Sequence, residues 1–352
     1  MKKHLILFFA AFMALMVSCT SKNDVVKIGV VGPMTGAGAA TVDYWVNGLN
    51  MAIDQINTKE NGTKYELVLE DCRSDAKEAV SCYKRLELQG VQYVIAVGGQ
   101  FAMAIAPLTK GQDMLYFTTS DYNDAVLNVT DRAFRAYPSA YTLGKTAAEY
   151  LYNELERKNV ATIIINTVPN LLAGNVFASH YESLGGKVVF SDTYDIGQFD
   201  FKDMVAKMSR ETIDCVFYLG FGQSANAFTT QLYANPKFQD VVILGDVNMS
   251  TVDYLTSVKN VPLDVYVADT KLSDEFESVY TEKFQMPSNS IASCASIIPF
   301  IIDEARKNVE NKSDLSAQLN YIRGRKFSSP IGSIEFDTIG NVQLPMQVYK
   351  VK

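Results

Sequence analysis

Val25-Val26-Lys27-Ile28-Gly29-Val30-Val31-Gly32-Pro33-Met34-Thr35-Gly36 decides the fold. A short run rich in β-branched residues breaks at a Gly-Pro-x-x-Gly turn. A loop of small residues, Gly36-Ala37-Gly38-Ala39-Ala40-Thr41, then leads into residues 43–57. There Val46, Leu49, Ile53 and Ile56 recur at helical spacing, and Trp45 and Ala52 extend the same face. The order is strand, small-residue loop, helix. In an open α/β sheet, ligands sit at the carboxyl ends of strands, where such loops lie. Small residues let a ligand approach backbone N–H groups, and the N-terminus of a helix favours negative charge.

The same unit repeats downstream. Residues 65–70 alternate as a strand, and Asp75-Ala76-Lys77-Glu78 has the capping-box pattern with Asp in the cap position, opening a helix to about Leu88. Residues 91–97 form a third strand that stops at Gly98-Gly99, and 114–117 a fourth after a short helix. Strand–helix alternation predicts a mainly parallel sheet with helices on both faces. Residues 133–138 are short, extended and Pro-terminated, as a crossing segment would be. A second unit of similar plan follows: helix 140–157, strand 161–165, helix 171–184 stopped by Gly185-Gly186, then strands 187–190, 215–219 and 241–244. After 265–268 the chain returns to helix at 274–284, 291–307 and 315–322. It ends in two short strands, 331–336 and 347–351, flanking Gly340-Asn341. A chain that leaves one α/β unit, builds another and returns makes several crossovers, which is how a hinge is built.

The first residues are not fold. Lys2 and Lys3 precede an apolar run over 5–17 that is too short to span a membrane. The run ends Val17-Ser18-Cys19, and a small residue before a cysteine at that place resembles a bacterial lipoprotein signal. Residues 1–18 are thus expected to be a signal peptide, Cys19 the lipidated N-terminus, and 19–25 a polar tether. The alternative is an ordinary signal peptide with an incidental cysteine. Loss of the two leader lysines takes the net charge from −7 to −9. An acidic surface argues against nucleic acid or anionic lipid as a partner.

The inventory for catalysis is poor. After the leader the chain has one histidine, His180, on a predicted helix, and no Ser in a Gly-x-Ser-x-Gly setting. No Cys-x-x-Cys occurs, so neither a zinc nor a redox site is expected. Cys215 and Cys294 read as buried thiols, while Cys72 and Cys82 would pair only if their loop folds back on the helix. Gly36-x-Gly38 with Thr41 is an imperfect dinucleotide fingerprint in a chain whose export would keep it from NAD. No catalytic role, cofactor or metal is therefore assigned.

The chain resembles the bacterial extracellular ligand-binding receptors of the leucine/isoleucine/valine-binding type, the substrate-binding proteins of ABC importers. The marks are Gly32-Pro33-Met34-Thr35-Gly36, Asn47-Gly48, Ala52-Ile53-Asp54-Gln55-Ile56-Asn57, Asp71, Ala79, Val94-Ile95 and Ala106-Pro107. In the second half they are Gly185-Gly186-Lys187-Val188-Val189, Tyr194, Gly197, Asp200-Phe201, Asp214-Cys215-Val216, Pro330-Ile331-Gly332, Phe336-Asp337 and Gly340. The resemblance spans nearly the whole chain after the leader. It implies a type I periplasmic-binding fold: two Rossmann-like α/β lobes joined by a three-segment hinge, with residues 26–136 plus 269–328 as one lobe and 137–268 plus 329–352 as the other. It implies binding of a small polar molecule by lobe closure and delivery to an ABC permease, with a membrane held through the lipid anchor and no enzyme activity. Carried over residue by residue, ligand contacts fall at Thr41, at Gln100, Phe101, Ala102 and Met103, at Ser120 and Tyr122, at Phe221 and Gln223, and at Asp246. A competing function of another class is a regulatory or sensory envelope lipoprotein of the same fold, acting through a protein partner.

The chain departs from its relatives where amino-acid binders hold the ligand carboxylate with hydroxyls and N–H groups. Ala102 and Met103 offer no hydroxyl there, so branched-chain amino acids are expected to bind weakly. Phe101, Met103, Tyr122 and Phe221 suggest a more apolar cleft, with Gln100, Ser120, Gln223 and Asp246 as polar anchors.

Overall fold

The structure, a computed structural model, describes residues 25–59 and 62–352. The expected signal peptide, Cys19 and the tether before Val25 lie outside them. The quoted stretch forms β1 (Val25–Gly32), which pairs in parallel with β2 (Lys64–Asp71) on one side and β3 (Tyr93–Val97) on the other. With β4 (Leu115–Thr119) and β5 (Ala133–Arg135) they make a parallel sheet in the order β2-β1-β3-β4-β5. Residues 28–32 are buried, as the apolar run requires.

Helix α1 (Val42–Asn57) buries Trp45, Leu49, Ala52, Ile53 and Ile56 along one face. Trp45 is fully buried, so it belongs to the core rather than the cleft. A Cβ on Gly48 would lie 2.2 Å from the Ala292 carbonyl oxygen. Only glycine therefore lets α1 meet its partner helix backbone to backbone. Helix α2 (Ala76–Leu88) starts where the capping pattern puts it, with the Asp75 side chain accepting from the Glu78 N–H at 2.8 Å. Helices α3 (Gly99–Thr109) and α4 (Val126–Val129) complete this unit's alternation.

The second sheet runs β14-β10-β9-β8-β6-β7. Its strands are β6 (Asn159–Ile165), β7 (Lys187–Tyr194), β8 (Cys215–Leu219), β9 (Val242–Asp246) and β10 (Val265–Thr270), all parallel, with β14 (Met346–Lys350) antiparallel at the edge. Around it lie α5 (Ala140–Glu149), α6 (Val168–Ser183), α7 (Lys202–Met208), α8 (Gly222–Tyr233) and α9 (Val252–Ser257). The helix predicted over 140–157 changes character at Tyr150. Residues Tyr150–Glu154 form a π turn, in which the Leu155 N–H reaches the Tyr150 carbonyl at 3.0 Å.

The chain then returns to the first unit through α10 (Asp274–Phe284), α11 (Ser290–Lys307), which packs on α1, and α12 (Leu315–Ile322). The end of the chain differs from expectation. Residues 329–343, expected with the second lobe, form most of a separate antiparallel sheet, β11 (Arg325–Ser329), β12 (Gly332–Phe336) and β13 (Val342–Gln343). This sheet sits on the first unit: the Phe336 ring packs edge-on against Phe134 at 5.7 Å, and the Arg135 N–H donates to the Gly340 carbonyl at 2.8 Å. The last crossover therefore falls between Gln343 and Met346. The cause is tertiary: Phe134 and Phe336 share one core, which no local pattern reports.

Cys72 and Cys82 are separate buried thiols, and so are Cys215 and Cys294. Burial pushes the Cys72 thiol up to about 12 and the Cys82 thiol up to about 11, which leaves both unreactive near neutral pH. Among the described residues no helix is long and apolar enough to cross a membrane.

Candidate functional site

A cavity of about 550 Å³ opens where the carboxyl ends of the two sheets face each other. From the first unit come Gly38 and Thr41 after β1, residues 97–101 and Met103 after β3, and Ser120 and Tyr122 after β4. From the second come Asn166 to Asn170 after β6, Ile196 after β7, Phe221 and Gly222 after β8, and Asp246, Asn248 and Thr251 after β9. Each loop follows a strand that the small-residue or apolar pattern ends.

Eight of the ten residues carried over from the family border this cavity: Thr41, Gln100, Phe101, Met103, Ser120, Tyr122, Phe221 and Asp246. Ala102 and Gln223 do not. Each helical residue turns the side chain by about 100°, so Ala102 faces the sheet, fully buried, with its carbonyl accepting from the Tyr116 hydroxyl at 2.9 Å. Gln223 is exposed on the outer side of α8. Sequence reasoning missed Asn166, Thr167, Asn170, Asn248 and Thr251. Asn166 and Thr167 follow β6 directly, so the strand-end rule would have reached them; Asn170, Asn248 and Thr251 lie further along, where no local signal marks them.

The β1–α1 loop is held by one carboxylate. Asp71 Oδ1 accepts from the N–H groups of Met34 (3.0 Å), Thr35 (3.2 Å) and Arg73 (2.8 Å), and Oδ2 from the Thr35 hydroxyl (2.7 Å). Ser74 Oγ donates to the Thr35 carbonyl and accepts from the Gly38 N–H at 3.1 Å. A loop without bulky side chains thus becomes a fixed wall for the cavity.

Helix ends distinguish the site from the rest of the molecule. Among helices of eight residues or more, α2, α5, α10, α11 and α12 carry a side-chain cap, at Asp75, Ser139, Ser273, Asn289 and Asp314. The four without one, α1, α3, α6 and α8, all begin at the cavity, with Thr41, Gly98, Thr167 and Phe221 as their cap residues. At α3 and α8 the first two N–H groups have no intrahelical acceptor and can meet a ligand, whereas at α1 the Val42 N–H already donates to the Ala39 carbonyl of a preceding 3-10 turn, and at α6 the second residue is Pro169, which has no N–H. Beside α3, Ser120 holds a left-handed backbone, φ 53°, and its buried Oγ has no hydrogen-bond partner. Backbone N–H groups and the Ser120 hydroxyl supply what Ala102 and Met103 lack, so a carboxylate finds donors on the first-unit wall.

On the opposite wall Asp246 is the one lining side chain that carries charge, since no Lys, Arg or His borders the cavity among the described residues. Its Oδ1 accepts from the Asn248 N–H (3.1 Å) and side-chain Nδ2 (3.0 Å). Burial still pushes the carboxyl up to about 7, with Asn248 acting against the shift. Burial likewise raises Asp121, behind Ser120, and Asp269, at the second crossover, to about 6 each. All three values lie above that of an unfolded Asp, so the folded chain holds these protons more tightly than the unfolded one. The stability they contribute is full below the unfolded value and is lost as pH rises through about 6 to 7. The unliganded chain should therefore melt higher near pH ~5 than near pH ~8 in scanning calorimetry. A higher midpoint at the alkaline end would show that these carboxylates are solvated.

A family profile described as periplasmic binding protein matches residues 25–352. The leucine-specific-binding protein of Salmonella typhimurium is 26% identical over 242 residues, 67% of this chain and 65% of that relative, just under two thirds of its length. The Leu/Ile/Val/Thr-binding protein of the same organism is 23% identical over 349 residues, 95% of this chain and 93% of its own. The fold matches that of the leucine binding protein LivK of Thermotoga maritima, with a TM-score of 0.83 at 20% identity, covering 93% of this chain and 95% of that one. It also matches a solute binding protein of an ABC transporter from Rhodopseudomonas palustris HaA2 in complex with p-hydroxybenzoic acid, at 0.83 and 19% identity, covering 93% of each chain. These relatives are described as binding proteins, not enzymes, and their two-sheet architecture is the type I periplasmic-binding fold described above. Over residues 25–352 the chain belongs to the periplasmic binding protein family.

Proposed function

We propose that the protein is an extracytoplasmic solute-binding lipoprotein that closes two lobes over an amino acid with a large apolar side chain and hands it to an ABC importer. One lobe carries the five-stranded sheet and the other the six-stranded sheet, and the three crossovers form the hinge. The observation that carries the ligand class is the polarity of the cavity. Uncapped N–H groups and Ser120 Oγ on one wall suit a carboxylate, and buried Asp246 on the other suits an ammonium. Phe101, Met103, Tyr122 and Phe221 form the apolar lining. A relative described as leucine-specific and another held with p-hydroxybenzoic acid share the carboxylate, and Asp246 favours the ligand that also bears an amine.

Calorimetry with L-phenylalanine, L-leucine and benzoate tests this. L-Phenylalanine should bind most tightly, L-leucine more weakly because it fills less of the cavity, and benzoate weakest near neutral pH. Benzoate binding where neither amino acid binds would overturn the ligand class. Small-angle scattering should show compaction with the bound amino acid. The anchor is tested separately: Cys19→Ala should move the protein from the membrane fraction to the soluble one, and unchanged fractionation sinks the lipoprotein reading.

A further inference from the structure

Among the described residues, one hydrogen bond joins the two units away from every crossover. Tyr44, on α1 of the first unit, accepts the backbone N–H of Val252, at the start of α9 in the second, at 3.1 Å. The two residues are 208 apart in sequence, and Tyr44 is buried. The other bonds between the units start in or beside a crossover: Ala140 N–H to Tyr122 carbonyl, Tyr137 hydroxyl with Ser290 hydroxyl, Ser290 N–H to Asp269, and Lys271 N–H to Pro345 carbonyl. Bonds at a hinge persist as it bends, whereas a bond across the cleft exists only when the cleft is shut.

Tyr44 does not line the cavity, but its surroundings do. Thr41, one turn earlier on the same side of the chain, and Thr251, next to Val252, are both lining residues. The bond therefore lies just behind the cavity wall on both sides. Thr251 already uses its Oγ to cap α9, donating to the Asn248 carbonyl at 3.0 Å and accepting from the Tyr254 N–H at 3.4 Å. The Val252 N–H has no acceptor within its own helix, and the first unit supplies one.

We propose that Tyr44 is a latch: a positioning residue that touches no ligand and sets affinity by holding the cleft shut through Val252. The proposal rests on the lobe-closure reading above. Its consequence is a loss common to all ligands, because the latch acts on the open–closed equilibrium that every ligand must shift. Tyr44→Phe keeps the ring and removes the acceptor. Val252→Pro removes the donor at the first position of a helix, where proline fits, and Thr251 already has the extended backbone, ψ 149°, that proline needs before it.

The first arm uses the unliganded full chain and hydrogen–deuterium exchange. The Val252 amide should exchange several-fold faster in Tyr44→Phe, with the thermal midpoint close to wild type. Unchanged exchange there, including a wild-type amide that is already unprotected without ligand, overturns the latch whatever the ligand turns out to be. The second arm uses L-phenylalanine as probe. Tyr44→Phe should weaken binding about 2- to 10-fold, mostly through faster dissociation. In the Val252→Pro background the same substitution should add nothing. An equal loss in both backgrounds would make Tyr44 a packing residue and refute the latch. If wild type does not bind the probe, the ligand class fails while the exchange arm still decides the latch.

Discussion

From about pH 5.5 to about pH 8 the affinity for L-phenylalanine should rise on the order of 10- to 30-fold, and the affinity for benzoate should fall. The sign follows from Asp246. In the unliganded chain its carboxyl is pushed up to about 7 by burial, so it is protonated at the acid end of this range and ionised at the other. The amine of an amino acid stays charged, and its carboxylate stays ionised, across the whole range. An ammonium beside Asp246 stabilises the ionised form, so binding releases the proton and grows stronger as pH rises. Benzoate brings only negative charge. It raises the carboxyl further, binding takes up a proton, and affinity weakens above the free value. Asp246→Asn should flatten both profiles and, at the alkaline end, cost the amino acid roughly 30-fold or more, the penalty of leaving one partner of a buried charge pair alone. The same variant should bind benzoate more tightly there than wild type does. Calorimetry at several pH values reads both, and an L-phenylalanine affinity that falls with pH would remove Asp246 from the ammonium role.

Why Asp246 was legible in the sequence while its neighbours were not has a physical answer. Asp246 comes from the resemblance to the family, which places a ligand contact just after this strand; β9 itself is a short apolar run that ends in the acid. Asn248 sits in the 3-10 turn after it and Thr251 just beyond, where they look like ordinary turn and cap residues; Asp246 and Thr251 indeed cap the elements that follow. Asn166 and Thr167 were as accessible to the strand-end rule as Gln100, and Asn170 shows its relevance only in the fold, where its buried Oδ1 lacks a partner. Ala102 marks the opposite limit. Sequence proximity put it with Gln100, Phe101 and Met103, but one step of helical phase turns it into the core. The lobe boundary misplaced at residue 329 has a third cause. Arg325–Ser329 shows no apolar alternation and becomes a strand only because β12 pairs with it and buries Phe327 and Phe336 together.

Arg135→Met should destabilise the chain by about 3–5 kcal/mol, the loss seen when one partner of a buried charged network is removed. Arg135 ends β5 at the mouth of the first crossover and is fully buried. Its Nη1 donates to the carbonyls of Asp121 (3.0 Å), Tyr137 (2.6 Å) and Pro138 (2.7 Å), and its Nη2 to the Asn341 side chain. Two of those carbonyls belong to the crossover itself, and Asn341 to the turn that leads into the last one. Burial pulls the guanidinium below its ordinary value while the nearby Asp121 and Asp124 carboxylates hold it up, and it remains charged at every pH of interest. Its charge in turn helps offset the burial of Asp121, which sits directly behind the cavity-lining Ser120. Methionine fills much of the same volume but accepts none of these duties: three carbonyls lose their donor and Asp121 loses its counter-charge. Lysine keeps the charge without the planar fork, so Arg135→Lys should fall between wild type and methionine. Thermal unfolding reads the series directly, with a drop on the order of 10 °C for methionine. A midpoint for Arg135→Met within experimental error of wild type would mean that the base of the cleft is held by the packing of Phe134 against Phe117 and Phe336, and not by the guanidinium.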